Sequence, residues 1–169
     1  MALNGYVAIE ANGVKWTGDV TQTSIGGVDV SADHVEFYEL EVGVGTGWER
    51  QSARASSHRA IRPVRCEIRA DQTLPLAWQA LAQNQTVKAE FKIFDNANEA
   101  DGDGTTRHRF SVTLEGARIV DIQLNSPDSF DANMSTRPPY VTLQLVPNLI
   151  RITDQRDSVE CEDDWRVMI

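Results

Sequence analysis

Alternation of apolar and polar residues with a period of two is the feature that most constrains the fold of this chain. A period of two places the apolar side chains on one face of a strand, whereas a helix needs spacings of three and four. The clearest alternating segments are 35–44, 64–69, 87–93, 108–114, 120–124 and 141–145. We therefore predict a mainly β protein of about eight strands, with Gly116 turning the chain between two of them.

One segment breaks this period and predicts a helix. Asp71, Thr73 and Pro75 combine capping residues with a proline that suits the first helical turn. Apolar residues then recur at three-to-four spacing: Leu74, Ala77, Trp78 and Leu81. We expect a helix over about 74–84 that covers one open face or mouth of the sheet structure.

The length of the chain predicts one domain. A chain of 169 residues can bury a full hydrophobic core without disulfides or a structural metal. No repeat or composition shift divides it, so we expect a single domain over 1–169. Two of its segments lack alternation, an extended loop over about 45–59 and an acidic C-terminal tail over 154–169.

Composition excludes several classes of protein. The net charge of −9 argues against general nucleic-acid binding, which needs a basic face. No apolar run approaches the roughly 18 residues of a membrane span, and the N-terminus lacks the features of a signal peptide. We therefore expect a soluble chain made in the cytoplasm, with no membrane insertion. Cys66 and Cys161 do not form a disulfide scaffold, and we expect them to be buried or inert thiols.

Motifs for catalysis and for metal or cofactor binding are missing from the sequence. It has no nucleophile elbow, zinc-protease helix, paired CxxC or phosphate loop, so we expect no enzyme, no cofactor and no metal site. His108 falls on an inward strand position, where we expect a hydrogen-bonded core histidine. The acidic segment 99–104 has the first half of a calcium loop, but Phe110 stands where the bidentate glutamate should be. A solvated loop is the favoured interpretation.

Charge is distributed unevenly along the chain. Six arginines lie between positions 50 and 69, and six acidic residues lie between positions 154 and 164. Either these are two separately solvated faces, or the basic segment contacts the acidic one within a chain or between copies. Glu39 and Glu41 share one face of the strand predicted over 35–44. That face is either the outside of a sandwich or the lining of a wet channel in a closed ring.

Several segments together resemble one family. These are residues 1–9, 35–43, the helix start 71–76 (Asp-Gln-Thr-Leu-Pro-Leu), the late strands 114–120 and 140–145, and the terminal 162–165. In this order and spacing they are similar to the Hcp tube proteins of bacterial type VI secretion systems. Longer segments at 95–106 and 126–137 depart from the family pattern.

This resemblance implies a β-barrel of two packed antiparallel sheets with one α-helix, similar to phage tail-tube subunits. It also implies self-assembly into a homohexamer whose rings stack into a tube inside a contractile sheath. Sheath contraction then expels the tube together with its spike proteins and with effector proteins carried in the lumen. The chain would in that case be secreted by type VI injection.

The resemblance gives roles to residues that the patterns single out. Glu39 and Glu41 are predicted to face the lumen, and Trp48, Arg50 and Arg54 are predicted to contact an adjacent ring or subunit. Three alternatives remain open at this point. The chain could be a tube subunit of a phage-tail-like or other contractile particle, a monomeric β-barrel binding module, or a small β-barrel hydrolase.

Overall fold

β-Strands occupy most of the chain, as the alternation predicts. The computed structural model describes residues 5–52, 54–55, 59–96, 106–133 and 136–166. Its strands are β1 Gly5–Ala11, β2 Val14–Lys15, β3 Ser24–Ile25, β4 Val28–Asp29, β5 Val35–Glu41, β6 Val44–Gly45, β7 Trp48–Glu49, β8 Arg54–Ala55, β9 Ala60–Ile61, β10 Val64–Arg69, β11 Val87–Asn96, β12 Thr106–Asn125, β13 Tyr140–Val146, β14 Leu149–Asp154 and β15 Val159–Asp164. One helix, α1, spans Leu74–Ala82.

Six of the strands pair in an antiparallel circuit that returns to its starting point. The order is β1–β5–β10–β13–β12–β11, and β11 pairs again with β1. β14 and β15 extend the sheet beyond the first half of β12. The predicted fold class is confirmed, because the chain is mainly β with antiparallel pairing and one helix. The helices of the described segments include none long and apolar enough to cross a membrane.

The core is built from the inward side chains of this circuit. Phe91 of β11 is fully buried, and it pairs with Val7 of β1 on one side and Val112 of β12 on the other. Its ring packs edge-to-face on Phe37 of β5, with 5.3 Å between centroids. Cys66 of β10 is also fully buried. These contacts join the two sides of the circuit through one apolar interior.

Alternation over 35–44 predicts one apolar face of Tyr38, Leu40, Val42 and Val44. Leu40 and Val42 do pack against the core, but the positions before them do not follow the prediction. Val35 and Phe37 are buried instead, and Val44 is 56% exposed. β5 contains a β-bulge, because Phe37 pairs with Ile68 while Glu39 pairs with Glu67. The extra residue, Tyr38, shifts the alternation by one position and so exchanges the two faces.

The turn predicted at Gly116 is wrong, because β12 runs through it from Thr106 to Asn125. Gly116 has a positive φ of 59°, and the pairing with β11 shifts register beside it. A Cβ atom there would lie 2.6 Å from the side-chain amide nitrogen of Asn148. Glycine therefore permits an irregularity within one strand. Before Gly116 this strand pairs with β11 and β14, and after it the strand pairs with β13.

The helix is confirmed, and Leu74, Ala77 and Leu81 of its predicted apolar face pack on the core, but Trp78 does not follow the prediction. Ala77 and Ala80 are buried, whereas Trp78 is 55% exposed. Each residue advances about 100° around a helix, so Trp78 points away from a face centred between the two alanines. Small side chains at this face let the helix lie close to the sheet, which leaves the larger aromatic ring outside.

Asp71 organises the start of the helix. One oxygen of its carboxylate accepts hydrogen bonds from the amide (2.8 Å) and the hydroxyl (2.5 Å) of the fully buried Thr73. Its other oxygen accepts from the amide of Asp19, 3.2 Å away. Pro75 lies in the first turn, where its missing N–H leaves no unpaired donor. Asp71 therefore ties the helix to the segment after β2.

The two cysteines should differ sharply in reactivity. Burial raises the pKa of the Cys66 thiol to about 12, whereas Cys161 is exposed on β15. Because the thiolate is the reactive form, we expect a thiol reagent at about pH 8 to modify one cysteine per native chain and both after denaturation. Peptide mapping of the modified native protein checks this. Modification of Cys66 at a rate similar to that of Cys161 would contradict the prediction.

Candidate functional site

A continuous polar surface covers the outer side of four adjacent strands, and we call it the polar face. It consists of the outward polar side chains of β5, β10, β13 and the second half of β12, and the exposed Val146 lies at its edge. Two rows of paired residues cross it from strand to strand: Glu41, Arg65, Gln144 and Asp121, and beside them Glu39, Glu67, Thr142 and Gln123. Because strands alternate, the neighbouring residues Cys66 and Leu143 point the opposite way into the core.

Glu39 and Glu41, the predicted lumen residues, lie on this face and share one arginine. Nη1 of Arg65 is 3.2 Å from an Oε atom of Glu39 and 4.0 Å from one of Glu41. Hydrogen bonds to Glu39, which has the larger effect, and to Glu67 raise the pKa of the Arg65 guanidinium. The two glutamates are therefore not a bare acidic pair, because Arg65 offsets part of their charge.

Glu67 is the residue of this face that sequence reasoning missed. Its side chain is only 8% exposed, and it accepts hydrogen bonds from Arg65 at 2.7 Å and from Arg137. The guanidinium of Arg137 also lies 3.8 Å from the ring centroid of Tyr140. A carboxylate can be buried on an outward face when two arginines cover it in this way. Arg137 comes from the long 126–139 connection, so no local pattern could have indicated the contact.

The charges of this cluster nearly cancel. Three carboxylates, those of Glu39, Glu41 and Glu67, meet the two guanidiniums of Arg65 and Arg137. The cluster therefore retains one net negative charge and many hydrogen-bonding groups. Such a surface stays hydrated and repels apolar partners more strongly than it attracts cations.

In the described part of the segment predicted as an extended loop, two short strand pairs form an antiparallel ribbon, and we call residues 44–61 the extended hairpin. At its base, Val44 pairs with Ile61 and Gly45 with Ala60. Farther out, β7 pairs with β8 through Trp48↔Ala55 and Glu49↔Arg54. Arg50 follows β7 and is exposed. The backbone of the hairpin thus places Trp48, Arg50 and Arg54, the predicted ring-contact residues, in its outer part.

The basic and acidic segments do meet within the chain. Arg59, beside the base of the extended hairpin, forms an ion pair of 2.7 Å with Asp163 of β15. Part of the predicted acidic tail is therefore a strand of the sheet. The basic segment is divided, because Arg65 and Arg69 point instead toward the glutamates of β5. Of the alternatives left open by the sequence, the intramolecular contact is confirmed.

β15 also carries an acidic pair on the side of the sheet opposite Asp163. Nη2 of Arg151 on β14 is 2.6 Å from an Oε of Glu162, and its Nε is 3.4 Å from an Oε of Glu160. This arrangement resembles the one on the polar face, since two glutamates two positions apart share an arginine from the next strand. It supplies a matched control for experiments on Glu39 and Glu41.

Two of the histidines have structural partners. His108 lies 3.0 Å from the hydroxyl of Ser111 and 3.2 Å from the carbonyl of Phe110, and burial lowers its pKa. The hydrogen bonds predicted for this histidine are confirmed, but its predicted place in the core is wrong because the side chain is only half-buried. His34 is 4% exposed, with Nδ1 2.9 Å from Asp33 Oδ1 and Nε2 2.9 Å from Lys92 Nζ.

The acidic segment 99–104, which is expected to be a solvated loop, lies outside the described ranges, and so does His58. Across the described part of the chain, no three His, Cys, Asp or Glu side chains form a group that could hold a metal ion.

Comparison with known proteins identifies one family. The family model described as "Type VI secretion system effector, Hcp" matches residues 6–151. A search of curated protein sequences gave no match.

Solved structures of the same fold share little sequence with the chain. One, "Crystal structure of Hcp protein", has a TM-score of 0.81 at 22% identity and covers 98% of this chain and 99% of its own. The Hcp1 protein from E. coli EAEC 042 pathovar has a TM-score of 0.77 at 17% identity, covering 97% and 99%. The secreted protein Hcp3 from Pseudomonas aeruginosa has a TM-score of 0.71 at 22% identity, covering 96% and 99%. At these identities the likeness concerns the fold.

Proposed function

The chain belongs to the Hcp family of type VI secretion systems and is a subunit of their self-assembling tube, and from this premise we propose how its surfaces are used. Six copies close into a ring with the polar face lining the lumen. The extended hairpin of each copy, with Trp48, Arg50 and Arg54 in its outer part, reaches the next ring. The subunit supplies surfaces rather than a catalytic step, and its domain spans the whole of residues 1–169.

The polar face is the observation that supports this orientation. Four adjacent strands bury one side in the core and carry two rows of wholly polar side chains on the other, in which Glu67 and Thr142 are covered by their neighbours. In a ring, such a face fits a water-filled channel better than a contact between subunits, since interface cores are depleted of charged residues. Closure by rotational symmetry repeats each row around the channel.

The proposal extends to partners outside the ring. The stacked tube lies inside the contractile sheath, carries effector proteins in its lumen, and leaves the cell together with the spike proteins. A hydrated lining of nearly balanced charge holds a passenger weakly, so that it can be released after injection. A lining of this kind also excludes the apolar contacts that would trap an unfolded chain.

The ring itself is the first prediction to test. Size-exclusion chromatography with light scattering should give a mass near six times the 18.8 kDa of the chain. Negative-stain images should show rings with an open centre. A monomeric mass over the concentration range of the experiment would contradict the ring and would favour a monomeric binding module.

Reversal of charge on the polar face should weaken the binding of a cationic peptide in the lumen. The double variant Glu39→Lys with Glu41→Lys alters the charge by four units per chain without touching the core. We expect rings to form and to bind a labelled oligolysine peptide about tenfold more weakly, because like charges now face the peptide. Fluorescence anisotropy at low salt measures the affinity, and the difference should shrink as salt is added.

The matched control is Glu160→Lys with Glu162→Lys on β15. It makes the same charge change beside an arginine, but away from the polar face. If the β15 variant weakens binding of the peptide as much as the polar-face variant does, the assignment of the lumen is wrong.

A further inference from the structure

The base of the extended hairpin is held by contacts from the far end of the chain. Nε of Arg59 donates a hydrogen bond to Oδ1 of Asp163 at 3.0 Å, and its Nη2 donates to the carbonyl of Asp164 at 3.3 Å. The guanidinium also lies 4.9 Å from the centroid of the Trp165 ring. A single side chain is thus bound by three consecutive residues that lie more than 100 positions away in sequence.

The C-terminal partners are themselves firmly placed. β15 pairs with β14 along its whole length, from Val159 opposite Asp154 to Asp164 opposite Leu149. Beyond the strand, the amide of Trp165 donates to the carbonyl of Asn148 at 2.8 Å. These residues therefore connect Arg59 to the main sheet rather than to a free terminus.

The described base of the hairpin has further contacts with the domain, and one of them is made by Ile61, which packs against the core. The base also contributes two paired positions to the ladder, and the amide of Arg62 adds one hydrogen bond to the carbonyl of Gly43 at 3.0 Å. A two-stranded ribbon of this kind is marginal by itself. Arg59 precedes β9 directly, so its contacts act at the point where the hairpin leaves the sheet.

We propose that Arg59, Asp163 and Trp165 are positioning residues that set the direction of the extended hairpin and thereby its engagement with the next ring. We call their contact the latch. The second part of this inference rests on the proposed stacking role of the hairpin, whereas the first part does not. The latch couples the C-terminal strand to tube assembly through side chains at the base of the hairpin, rather than in its outer part.

Hydrogen–deuterium exchange of assembled rings tests the first part. Arg59→Gln removes the ion pair and the cation–π contact, and we expect exchange in peptides that cover 44–61 to rise about tenfold. Arg59→Lys keeps the charge and should give a smaller rise. Reversal of both charges, Arg59→Asp with Asp163→Arg, should recover most of the protection.

The matched control is Arg151→Gln. It removes an arginine that is bound to the same strand β15, and whose ion-pair partners among the described residues, Glu115, Glu160 and Glu162, lie outside the hairpin. We expect its exchange over 44–61 to equal that of the wild-type protein. Equal exchange in Arg59→Gln and wild type, or an equal rise in Arg151→Gln, would overturn the latch.

Electron microscopy of tubes tests the second part and separates the two failures. With the latch acting as proposed, Arg59→Gln forms rings but few or short tubes, and the charge-reversed pair restores tube length. If exchange rises while tubes form as in wild type, the coupling to stacking is overturned. A variant that lacks the outer hairpin altogether shows whether the hairpin stacks rings at all. A failure of the proposed stacking role is therefore recognised independently of the latch.

Discussion

Tubes should be lost while rings persist when residues 47–58 are replaced by an Asn-Gly turn. Gly45 and Ala60 are paired partners at the hairpin base, so a short turn can close the ribbon just beyond them. Thr46 and Arg59 remain, and the latch contact with Asp163 is kept. The deletion removes every residue proposed to reach the next ring, and none of these residues belongs to the described core.

Light scattering and negative-stain microscopy separate the two levels of assembly. The trimmed protein should have the mass of the wild-type ring and form no filaments under conditions in which the wild-type protein forms them. We expect the double variant Arg50→Glu with Arg54→Glu to give an intermediate loss that depends on salt. Filaments of normal length from the trimmed protein would show that another surface joins the rings.

Phe91→Ala should lower the free energy of unfolding by about 3–5 kcal/mol, the usual cost of removing a buried aromatic ring. Phe91 is fully buried, and its ring contacts Phe37 at the centre of the strand circuit. A domain is stable by only about 5–15 kcal/mol in total, so this loss should be visible as reduced yield and a lower melting temperature. Urea unfolding followed by tryptophan fluorescence measures it.

Phe130→Ala is the matched control for this substitution. Phe130 is 97% exposed in the turn after β12, so the same chemical change there removes almost no buried area. We expect a change within about 0.5 kcal/mol. Equal losses from both variants would contradict the placement of Phe91 in the core.

The elements that sequence predicted well are those whose signal is local. β10 and β13 have their inward residues buried as expected, and β11 does so from Val87 to Phe91. The helix begins at Leu74 as predicted and ends at Ala82, within two residues of the expected end. In both cases the neighbours along the chain carry the information, through the period and the capping residues.

The failures occur where a single residue changes the geometry of a strand. Tyr38 adds one position to β5 and exchanges its faces, and Gly116 bends β12 without ending it. Neither event alters composition or spacing enough to be recognised. Trp78 fits the apolar pattern of the helix but lies outside its packing face, because the sheet decides which stripe of the helix is covered.

In the candidate surfaces, too, single residues can be identified from local sequence but their contacts cannot. Glu39 and Glu41 could be identified from alternation, but their charge partner Arg65 depends on strand pairing. Glu67 and Arg137 are 70 positions apart, and Arg59 and Asp163 are 104 positions apart. No property of either segment alone indicates that these side chains meet.

By itself, the sequence determined the β class, the one helix, the family and the presence of separate basic and acidic segments. Periodicity and capping residues are signals within a few residues of one another, and the family follows from short local motifs taken in their order along the chain. Only the tertiary structure decided which charges cancel, which face stays polar and which residues hold the hairpin. The physical reason is that pairing of distant strands brings these groups together, and its register is set by bulges and by the packing of the whole core.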